Sequence, residues 1–383
     1  MEIKRIQSID LLRGIIMVVM ALDHTRDYFS DYNYDPTDLQ HATTFMFFTR
    51  WITHYCAPIF IFLSGCSAFL SFRKGKTKKE TSLFLLTRGV WLLFLELTIV
   101  RLGWMFDMDF SFIVLQVIWA IGWSMIALAA LVFLPRAAIM TFGLVLVFGH
   151  NVLDGITVTP ENRLLWSFLH VQNRIPYGEH NMLLVAYPII PWIGVMALGY
   201  CFGAVMVKPE AERNRWLYII GSGAIALFIV LRGFNIYGDP RPWVHQGAWW
   251  RDLLSILNCT KYPPSLLYLL MTIGPGILTL PLLEKAKGRV AAFFMIYGKV
   301  PMFYYILHIY LIHTMAVLVA LVVGVPIHYF VGGDSIFSPK PSWGFSLPYV
   351  YMYWAIAVLL LYYPCRWFVK IKLSHKKWWL SYI

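Results

Sequence analysis

Residues 8–30 read SIDLLRGIIMVVMALDHTRDYFS, and the rest of the chain is organised around this first apolar segment. It has the length and apolarity of a helix that crosses a membrane, yet it carries six ionisable side chains. They are Asp10, Arg13, Asp23, His24, Arg26 and Asp27. Charged groups at membrane depth cost about 2.5–3.5 kcal/mol each and usually face a cavity or a partner. We therefore interpret this helix as one wall of a functional site.

The spacing of the charged residues supports that interpretation. Arg13 and His24 are eleven positions apart, so at about 100° per residue they lie within roughly 20° of one helix face, about 16 Å apart along the axis. Asp10 and Asp27 lie near the same stripe. Snorkelling at a helix end would explain Asp10 and Arg13, but not a histidine among carboxylates and a further arginine.

The composition indicates that the rest of the chain also lies in a membrane. Of 383 residues, 59% are hydrophobic and 14% are charged, and the mean hydropathy is +0.63. These values are typical of a polytopic membrane protein. We predict an all-α fold with about ten transmembrane helices, forming one transmembrane domain over residues 1–383. The predicted spans are 11–29, 52–72, 83–101, 111–134, 137–154, 185–207, 216–236, 265–283, 300–323 and 347–368. Segment 290–298 is too short to cross alone and is predicted to be re-entrant or interfacial.

The positive residues predict the orientation of these spans. Lys and Arg concentrate on alternate connections, which places those connections and both termini in the cytoplasm. The basic segments are Lys4 and Arg5, RKGKTKK (73–79), Arg136, KPEAERNR (208–215), EKAKGR (284–289) and KIKLSHKK (370–377). The long connections 30–51, 155–184, 237–264 and 324–346 should then face outward, where loops of that length are usually functional.

Several classes of partner are not indicated. The net charge of +12 comes from segments where orientation signals belong, so we expect no nucleic-acid partner. The five cysteines form no C-x-x-C pair, which argues against a disulfide framework or a zinc site. His308 and His313 are about 140° apart around a helix and cannot comfortably share a metal. We therefore expect no bound metal. The charged residues within segment 8–30 argue against a cleavable signal peptide at the N-terminus.

Histidines, acids and an arginine gather around the first predicted outer loop. They are Asp23, His24, Asp27, His41, Arg50 and His54. An imidazole whose pKa is tuned by a carboxylate can take up and return a proton near neutral pH. Each histidine taken singly could equally be a structural hydrogen-bonding group, but three around one loop favour a catalytic site.

Aromatic and polar residues elsewhere are further candidates. Trp119 and Trp123 share a helix face and could be either interfacial belt residues or the wall of a ligand site. The motif GHNVLDG (149–155) places His150 in a polar cluster at the outer surface. Loop 237–264 is predicted to be a lid, with aromatic rings to stack on sugars and charges to hold polar groups. Its candidates are Asp239, Arg241, Lys261 and Tyr262.

Two features together resemble a known family. The pattern S-I-D-x-L-R-G-x-x-x-x-x-M (8–20) leads into a first span with a polar end, and a histidine-bearing loop then precedes a second span ending FLSG (62–65). This resembles the catalytic domain of the heparan-α-glucosaminide N-acetyltransferase family, and more closely its bacterial members. The resemblance extends to further blocks over essentially the whole chain. Those blocks are LQVIWAIGWSMIALAAL, YPIIPWIGVMALGY and TKYPPSLLYLLMT. Membrane O-acyltransferases of bacterial surface sugars are more weakly similar, and they share the Arg and His eleven apart.

The resemblance implies ten or eleven spans, acetyl-CoA taken from the cytosol, and an acetyl group delivered to a sugar or glycolipid acceptor across the membrane. In lysosomal members an Asn near the outer end of span one acts with a His in the next loop. By position these match His24 and His41, with His replacing the Asn, so either histidine could be the base. The resemblance to bacterial members also implies an integral protein of the bacterial inner membrane, and a homodimer is an open possibility.

The candidate residues fall into three groups, for catalysis, for acetyl-CoA binding and for acceptor binding. The catalytic candidates are His24, His41, Asp23 and Asp27. The candidates for binding acetyl-CoA are Arg13, Arg26, Arg50, Trp119 and Trp123. The candidates for binding the acceptor are His54, His150, Asp239, Arg241, Lys261 and Tyr262.

A transporter or channel for a small polar solute or a lipid-linked sugar is the alternative, because a polar, aromatic-lined cavity would serve either function. An acyl-CoA enzyme needs cations at the cytosolic mouth of its cavity for the nucleotide phosphates, whereas a transporter does not. The candidate cations are Arg13, Arg73, Lys74 and Arg88.

Overall fold

The structure is a computed structural model that describes residues 6–73, 75–332, 343–375 and 377–382. Lys4, Arg5, Lys74 and Lys376, which belong to the predicted basic segments, lie outside the described residues. Helices dominate the fold. They are α1 (Gln7–Phe29), α2 (Thr44–Thr53), α3 (Cys56–Phe72), α4 (Lys78–Leu95), α5 (Arg101–Met105), α6 (Val117–Leu131), α7 (Arg136–Gly149), α8 (Arg163–Leu169), α9 (Ile189–Met206), α10 (Glu210–Gly233), α11 (Trp249–Leu257), α12 (Leu266–Lys285), α13 (Arg289–Lys299), α14 (Pro301–Val323) and α15 (Leu347–Ser374).

Short irregular helices complete the described chain. A π-helical turn, Glu96–Val100, joins α4 to α5, and 3₁₀ turns span His150–Gly155, Ile327–Tyr329 and Trp378–Ser381.

The prediction of an all-α polytopic membrane protein is confirmed. Within the described ranges, eight helical segments are long and apolar enough to cross a membrane. α1 has 23 residues but carries charged side chains near both of its ends, and α6 has 15 residues. Both match predicted spans. The chain is therefore an integral membrane protein built from a helical bundle.

α1 is the central helix of this bundle. It packs against α2, α3, α12, α13, α14 and α15. Its closest neighbour is α13, because two glycines face each other at the crossing. A methyl group on Gly14 would collide with the backbone carbonyl of Phe294, and one on Gly298 would collide with the carbonyl of Asp10. Small residues at such a crossing let two backbones approach, which is how membrane helices gain packing energy.

The short apolar segment 290–298, which is too short to cross a membrane alone, is a separate helix in the structure. It forms α13, an 11-residue helix that lies against α1 and α15. The backbone N–H and C=O groups of α13 are bonded within the helix, and the face that carries Gly298 packs against α1. The backbone of this short helix is therefore not exposed to the apolar environment.

The second predicted span begins earlier than expected and is broken. α2 ends at Thr53 and α3 begins at Cys56, so His54 and Tyr55 form the junction. Pro58 lies in the first turn of α3, where the missing N–H would have had no helical partner. The break turns the α2 side chains toward the polar end of α1.

Three short strands were not predicted. β1 (Phe112–Leu115) pairs in parallel with β3 (Asn181–Val185), and β2 (Asn173–Tyr177) pairs with β3 antiparallel. The prediction of a helix from residue 111 was therefore wrong at its start: the β-branched and apolar run FIVL forms strand β1, at one edge of the sheet, instead. Loop 155–184 likewise contains α8 and the β2–β3 hairpin, and loop 237–264 contains α11.

Candidate functional site

A polar cavity of about 920 Å³ lies at the His24 end of α1. Its walls come from α1, the loop after α1, α2, the small sheet and the segment before α12. The lining residues are Asp23, His24, Arg26, Asp27, Ser30, Tyr32, Asn33, Tyr34, Asp35, Arg50, Trp104, Val114, Gln116, Gln172, Asn173, Arg174, Leu184, Ala186, Tyr187, Lys261 and Tyr262. Polar groups and aromatic rings alternate around this wall, as in sites that bind polar ligands.

One carboxylate organises the charged part of this cavity. Asp23 accepts hydrogen bonds from Arg50 Nη1 at 2.6 and 2.7 Å and from Thr53 Oγ1 at 2.9 Å. Arg26 Nη2 lies 2.6 Å from Asp23 Oδ1 and also donates to Asp27 Oδ1 at 2.8 Å. Charge-assisted bonds of this kind hold a buried carboxylate ionised and fix two guanidinium groups in place.

His24 lies next to this network on the same helix. Its Nδ1 is 3.8 Å from Asp27 Oδ2, a distance that is too long for a hydrogen bond but short enough for electrostatic contact. The imidazole ring meets the edge of Trp104, with centroids 4.7 Å apart, and lies 5.2 Å from the ring of His308. Nδ1 has no hydrogen-bond partner among the described residues. His24 is thus a half-buried imidazole that faces the cavity with a carboxylate nearby.

Lys261 and Tyr262, two of the predicted acceptor-binding residues, line another wall of the polar cavity. Lys261 Nζ lies 5.2 Å from the centre of the Tyr262 ring, which also packs against Tyr187. Burial alone would raise the pKa of the Tyr262 phenol, but the positive charges of Lys261 and Arg50 outweigh it and hold that pKa below its ordinary value.

Asp239 fixes this wall without lining the cavity. Its carboxylate accepts hydrogen bonds from the Thr260 N–H and hydroxyl, both at 2.8 Å, and from the Ser265 hydroxyl at 2.7 Å. Arg241 Nε donates to the same Thr260 hydroxyl at 3.1 Å. Asp239 and Arg241, both predicted to bind the acceptor, thus hold the segment that carries Lys261 and do not line the polar cavity.

A second cavity, of about 460 Å³, lies at the Arg13 end of α1. Five cations line it together with apolar and hydroxyl side chains. Those cations are Arg13, Lys76, Arg88, Lys299 and Lys372. Arg13 donates to Ser67 Oγ at 2.8 Å and lies 3.5 Å from Asp10. Among the described residues that line this cavity none is acidic, so it favours an anionic ligand.

The structure separates the predicted cofactor-binding residues. Arg13 lines the cation-rich cavity, whereas Arg26 and Arg50 line the polar cavity and bind Asp23. Trp119 and Trp123 contact each other, with ring centroids 5.7 Å apart, and line neither of these two cavities. The opposite face of α6, including Ile118, Ile121 and Met125, lines the cation-rich cavity instead. We therefore do not include Trp119 and Trp123 among the residues proposed to bind acetyl-CoA.

Three predicted histidines lie away from the lining of the polar cavity. His41 is exposed on the loop after α1, where its Nδ1 pairs with Asp38 at 2.6 Å; this bond lowers the pKa of Asp38. His54 is buried at the α2–α3 junction against the ring of Tyr268. His150 is buried beside His170 at the end of α7.

Some cavity residues were not predicted. Gln116, Arg174 and Tyr187 reach the polar cavity through the small sheet and its flanks, and Trp104 reaches it from α5. Glu96, buried in the π-helical turn, accepts the Gln116 N–H at 2.5 Å but does not itself line the cavity. Such turns are frequent at functional sites. No sequence signal marks these residues as neighbours of His24, because the sheet that gathers them joins residues about 70 positions apart.

A comparison with known protein families gives one match that covers most of the bundle. The family described as heparan-α-glucosaminide N-acetyltransferase, catalytic, matches residues 5–237, more than half of the chain. A search of individual curated proteins finds no match. The matched region includes α1, with both Arg13 and His24, and extends through α10. On this evidence the chain belongs to the heparan-α-glucosaminide N-acetyltransferase catalytic-domain family, a family of transmembrane acetyltransferases.

Proposed function

We propose that this protein transfers an acetyl group from cytosolic acetyl-CoA to an amine or hydroxyl of a sugar on the other side of the membrane, with His24 as the base. One observation carries the proposal above all others: Arg13 and His24 lie on one helix but line two different cavities. α1 would then guide the acyl donor from one cavity to the other.

The cation-rich cavity supports binding of CoA. Phosphates are recognised by Arg and Lys through charge-assisted hydrogen bonds, and Arg13, Lys76 and Arg88 lie along its wall. The apolar side chains beside them, including Met17 and Met20, suit the thin pantetheine arm. We assign this cavity to acetyl-CoA.

The distance between the two ends supports a transfer across the bundle. Arg13 and His24 are eleven positions apart on α1, which is about 16 Å along the axis. An extended pantetheine arm anchored by its phosphates near Arg13 would bring the thioester toward His24. The acyl group then need not cross the membrane as a free molecule.

The polar cavity supports binding of a sugar acceptor. Arg50, Lys261 and Asp27 offer charged partners for hydroxyl or amine groups, and Tyr32 and Tyr187 offer rings for stacking. Sugars present the same combination of polar edges and apolar faces.

His24 supplies the proton chemistry in this proposal. The acceptor's nitrogen or oxygen attacks the thioester carbonyl carbon with its lone pair, and the imidazole removes the proton from that attacking atom. Collapse of the tetrahedral adduct breaks the C–S bond, and the imidazolium returns its proton to the departing thiolate. Asp27, whose Oδ2 lies 3.8 Å from Nδ1 while its Oδ1 accepts from Arg26, would stabilise the imidazolium; Asp23 is bound by both Arg26 and Arg50.

The exposure of His41 favours His24 over His41 as the base. The side chain of His41 is 62% exposed and bound to Asp38, so in this conformation it is not desolvated beside the cavity. A transient acetyl-histidine at His41 is the competing route, which would require the loop after α1 to close over the cavity.

Binding and transfer of the acetyl group are tested separately. The melting temperature of detergent-purified protein is measured with acetyl-CoA, CoA and ATP, and CoA release is followed with glucosamine as the probe acceptor. A ligand that binds only the folded state raises the melting temperature. We expect a rise with acetyl-CoA and CoA that exceeds the rise with ATP. Absence of any rise with acetyl-CoA would favour the transporter alternative.

Two histidine variants then identify the base. We expect His24→Ala to retain the acetyl-CoA shift and to lose more than about a hundredfold in CoA release, since a positioned base contributes 10²–10⁴-fold. His41→Ala is the paired variant and should retain most of the activity. The reverse pattern would assign the chemistry to His41, and normal turnover by both would place the base elsewhere.

A further inference from the structure

A compact group of metal-binding side chains lies outside both cavities described above. His150 begins the 3₁₀ turn after α7, Asp154 lies near the end of that turn, and His170 follows α8. One nitrogen or oxygen atom from each of the three lies within 4.8 Å of the others. Asp154 Oδ1 is 2.9 Å from His170 Nε2, and the two imidazole rings are 5.6 Å apart. Small movements of the side chains would bring all three atoms onto one ion.

The histidines of this cluster are buried with unused nitrogens. His150 is 2% exposed and His170 is 0% exposed. Neither ring nitrogen of His150, nor Nδ1 of His170, has a hydrogen-bond partner in the part of the chain that the structure describes. Burying a polar nitrogen without a partner is unfavourable, so a native protein normally supplies one. A bound cation would satisfy a nitrogen of His150 that no side chain satisfies.

Asp154 is held in the orientation that a metal ligand needs. Its second carboxylate oxygen accepts a hydrogen bond from the Asn151 amide at 2.7 Å. The Asn151 carbonyl oxygen in turn accepts the Leu266 N–H at 2.9 Å, which fixes which end of the amide faces Asp154. Ligand carboxylates in metal sites are commonly oriented in this way.

We propose that His150, Asp154 and His170 bind a divalent zinc ion. Two imidazoles and one carboxylate suit Zn²⁺, whereas Ca²⁺ and Mg²⁺ prefer an all-oxygen shell. Three protein ligands leave a fourth tetrahedral position for water. The Asp154 side chain is 19% exposed, so the ion can enter from the carboxylate side.

The position of the cluster gives the ion a structural role. It would tie the end of α7 to the end of α8, and three residues beyond His170 the chain enters β2. Gln172, Asn173 and Arg174 line the polar cavity. The zinc ion would therefore hold one wall of that cavity in place, whatever reaction occurs there.

Zinc binding is measured on the full-length protein after removal of purification tags and dialysis against EDTA. Zn²⁺ is then titrated, with metal content and melting temperature as readouts, and Co²⁺ is used as a probe because its visible absorption reports coordination geometry. We expect one equivalent of Zn²⁺ per chain, a tetrahedral Co²⁺ spectrum, and a rise in melting temperature with Zn²⁺ concentration.

Matched variants locate the ion. His150→Ala and His170→Ala should lose the bound equivalent, and Asn151→Ala should weaken binding about 10–100-fold because it leaves Asp154 unsupported. His245→Ala is the control, since His245 pairs with Asp252 at 2.7 Å on the surface and should bind zinc no differently from the native chain. His150→Phe preserves the ring volume if the alanine variant does not fold.

Two outcomes would overturn the proposal. One is a folded native protein that takes up no Zn²⁺ and shows no Zn²⁺-dependent change in melting temperature, which would leave a His170–Asp154 hydrogen bond without an ion. The other is full zinc binding by both His150→Phe and His170→Ala, which would place the ion elsewhere.

Discussion

Asp23 shows how one residue can hold a polar site together inside an apolar bundle. Two guanidinium groups and a hydroxyl converge on its carboxylate, from α1 itself and from α2. Two arginines this close would repel each other without a shared anion. The carboxylate therefore makes the buried arginines tolerable, and they in turn fix the junction between α1 and α2.

Removing that carboxylate should destabilise the protein strongly. We expect Asp23→Ala to lower the free energy of unfolding by about 3–5 kcal/mol, because it leaves two buried cations without their main partner. The measurement is thermal or denaturant unfolding in one detergent. Asp38→Ala is the control: it removes a carboxylate whose partner, His41, is exposed, and should leave the melting temperature nearly unchanged. Equal effects of the two substitutions would contradict this account.

Arg13 tests the proposed phosphate site at the other end of α1. We expect Arg13→Ala to weaken CoA binding by about 1.5–3 kcal/mol, roughly ten- to a hundredfold, because a charge-assisted bond to phosphate is lost. The measurement is CoA affinity by calorimetry. Arg241→Ala is the matched control, since Arg241 is outside the residues that line either cavity and should not change the affinity. An unchanged dissociation constant for CoA in Arg13→Ala would mean that Arg13 serves only packing or membrane orientation.

At the scale of the element, α1 is effective because it is both central and closely packed. The glycines at its crossing with α13 bring the two backbones together, and the other faces of α1 meet five further helices. Arg13 and His24 are therefore held by the packing of the bundle rather than by a flexible loop. Rigid elements place functional groups more precisely than loops do.

The glycine contact predicts a sharp size limit. We expect Gly298→Ala to lower the stability by about 1–3 kcal/mol, since the new methyl group meets the Asp10 carbonyl and forces the helices apart. Melting temperature is the readout. Gly223→Ala is the control in α10, where a methyl group meets no described atom within 4 Å. That substitution should be neutral or slightly stabilising, because alanine favours helix by about 1 kcal/mol.

At the scale of the whole molecule, charge is divided between the two ends of the bundle. The cavity at the Arg13 end is lined with lysines and arginines and no described acid, whereas the cavity at the His24 end mixes both signs. By the positive-inside rule the first of these ends should face the cytosol.

The proposed orientation can be measured by cysteine labelling in intact cells. All five native cysteines are buried, so background labelling by a membrane-impermeant maleimide should be low. We expect Trp249→Cys, at a position 80% exposed in α11, to react from outside. Lys79→Cys, exposed at the start of α4, should react only after permeabilisation. The opposite pattern would reverse the orientation.

The sequence by itself determined the class of fold and the importance of α1. Apolar runs of about twenty residues must form helices in a bilayer, because backbone polar groups have no other partners there, and this holds without knowledge of their neighbours. The same local logic marked Arg13 and His24, since ionisable residues inside such a run need a cavity. Most span boundaries agree with the structure to within several residues for this reason.

Which residues share a site depends on contacts between distant segments. Lys261, Arg50 and Tyr187 line one cavity with His24 because the loop held by Asp239, the break at His54 and the three-stranded sheet bring those segments together. The same is true of His150 and His170, which the sequence placed twenty residues apart and the fold brought to one point. Helical periodicity reaches only along one element, so contacts between elements, and the division of Arg13 and His24 between two cavities, depend on packing that no local pattern encodes.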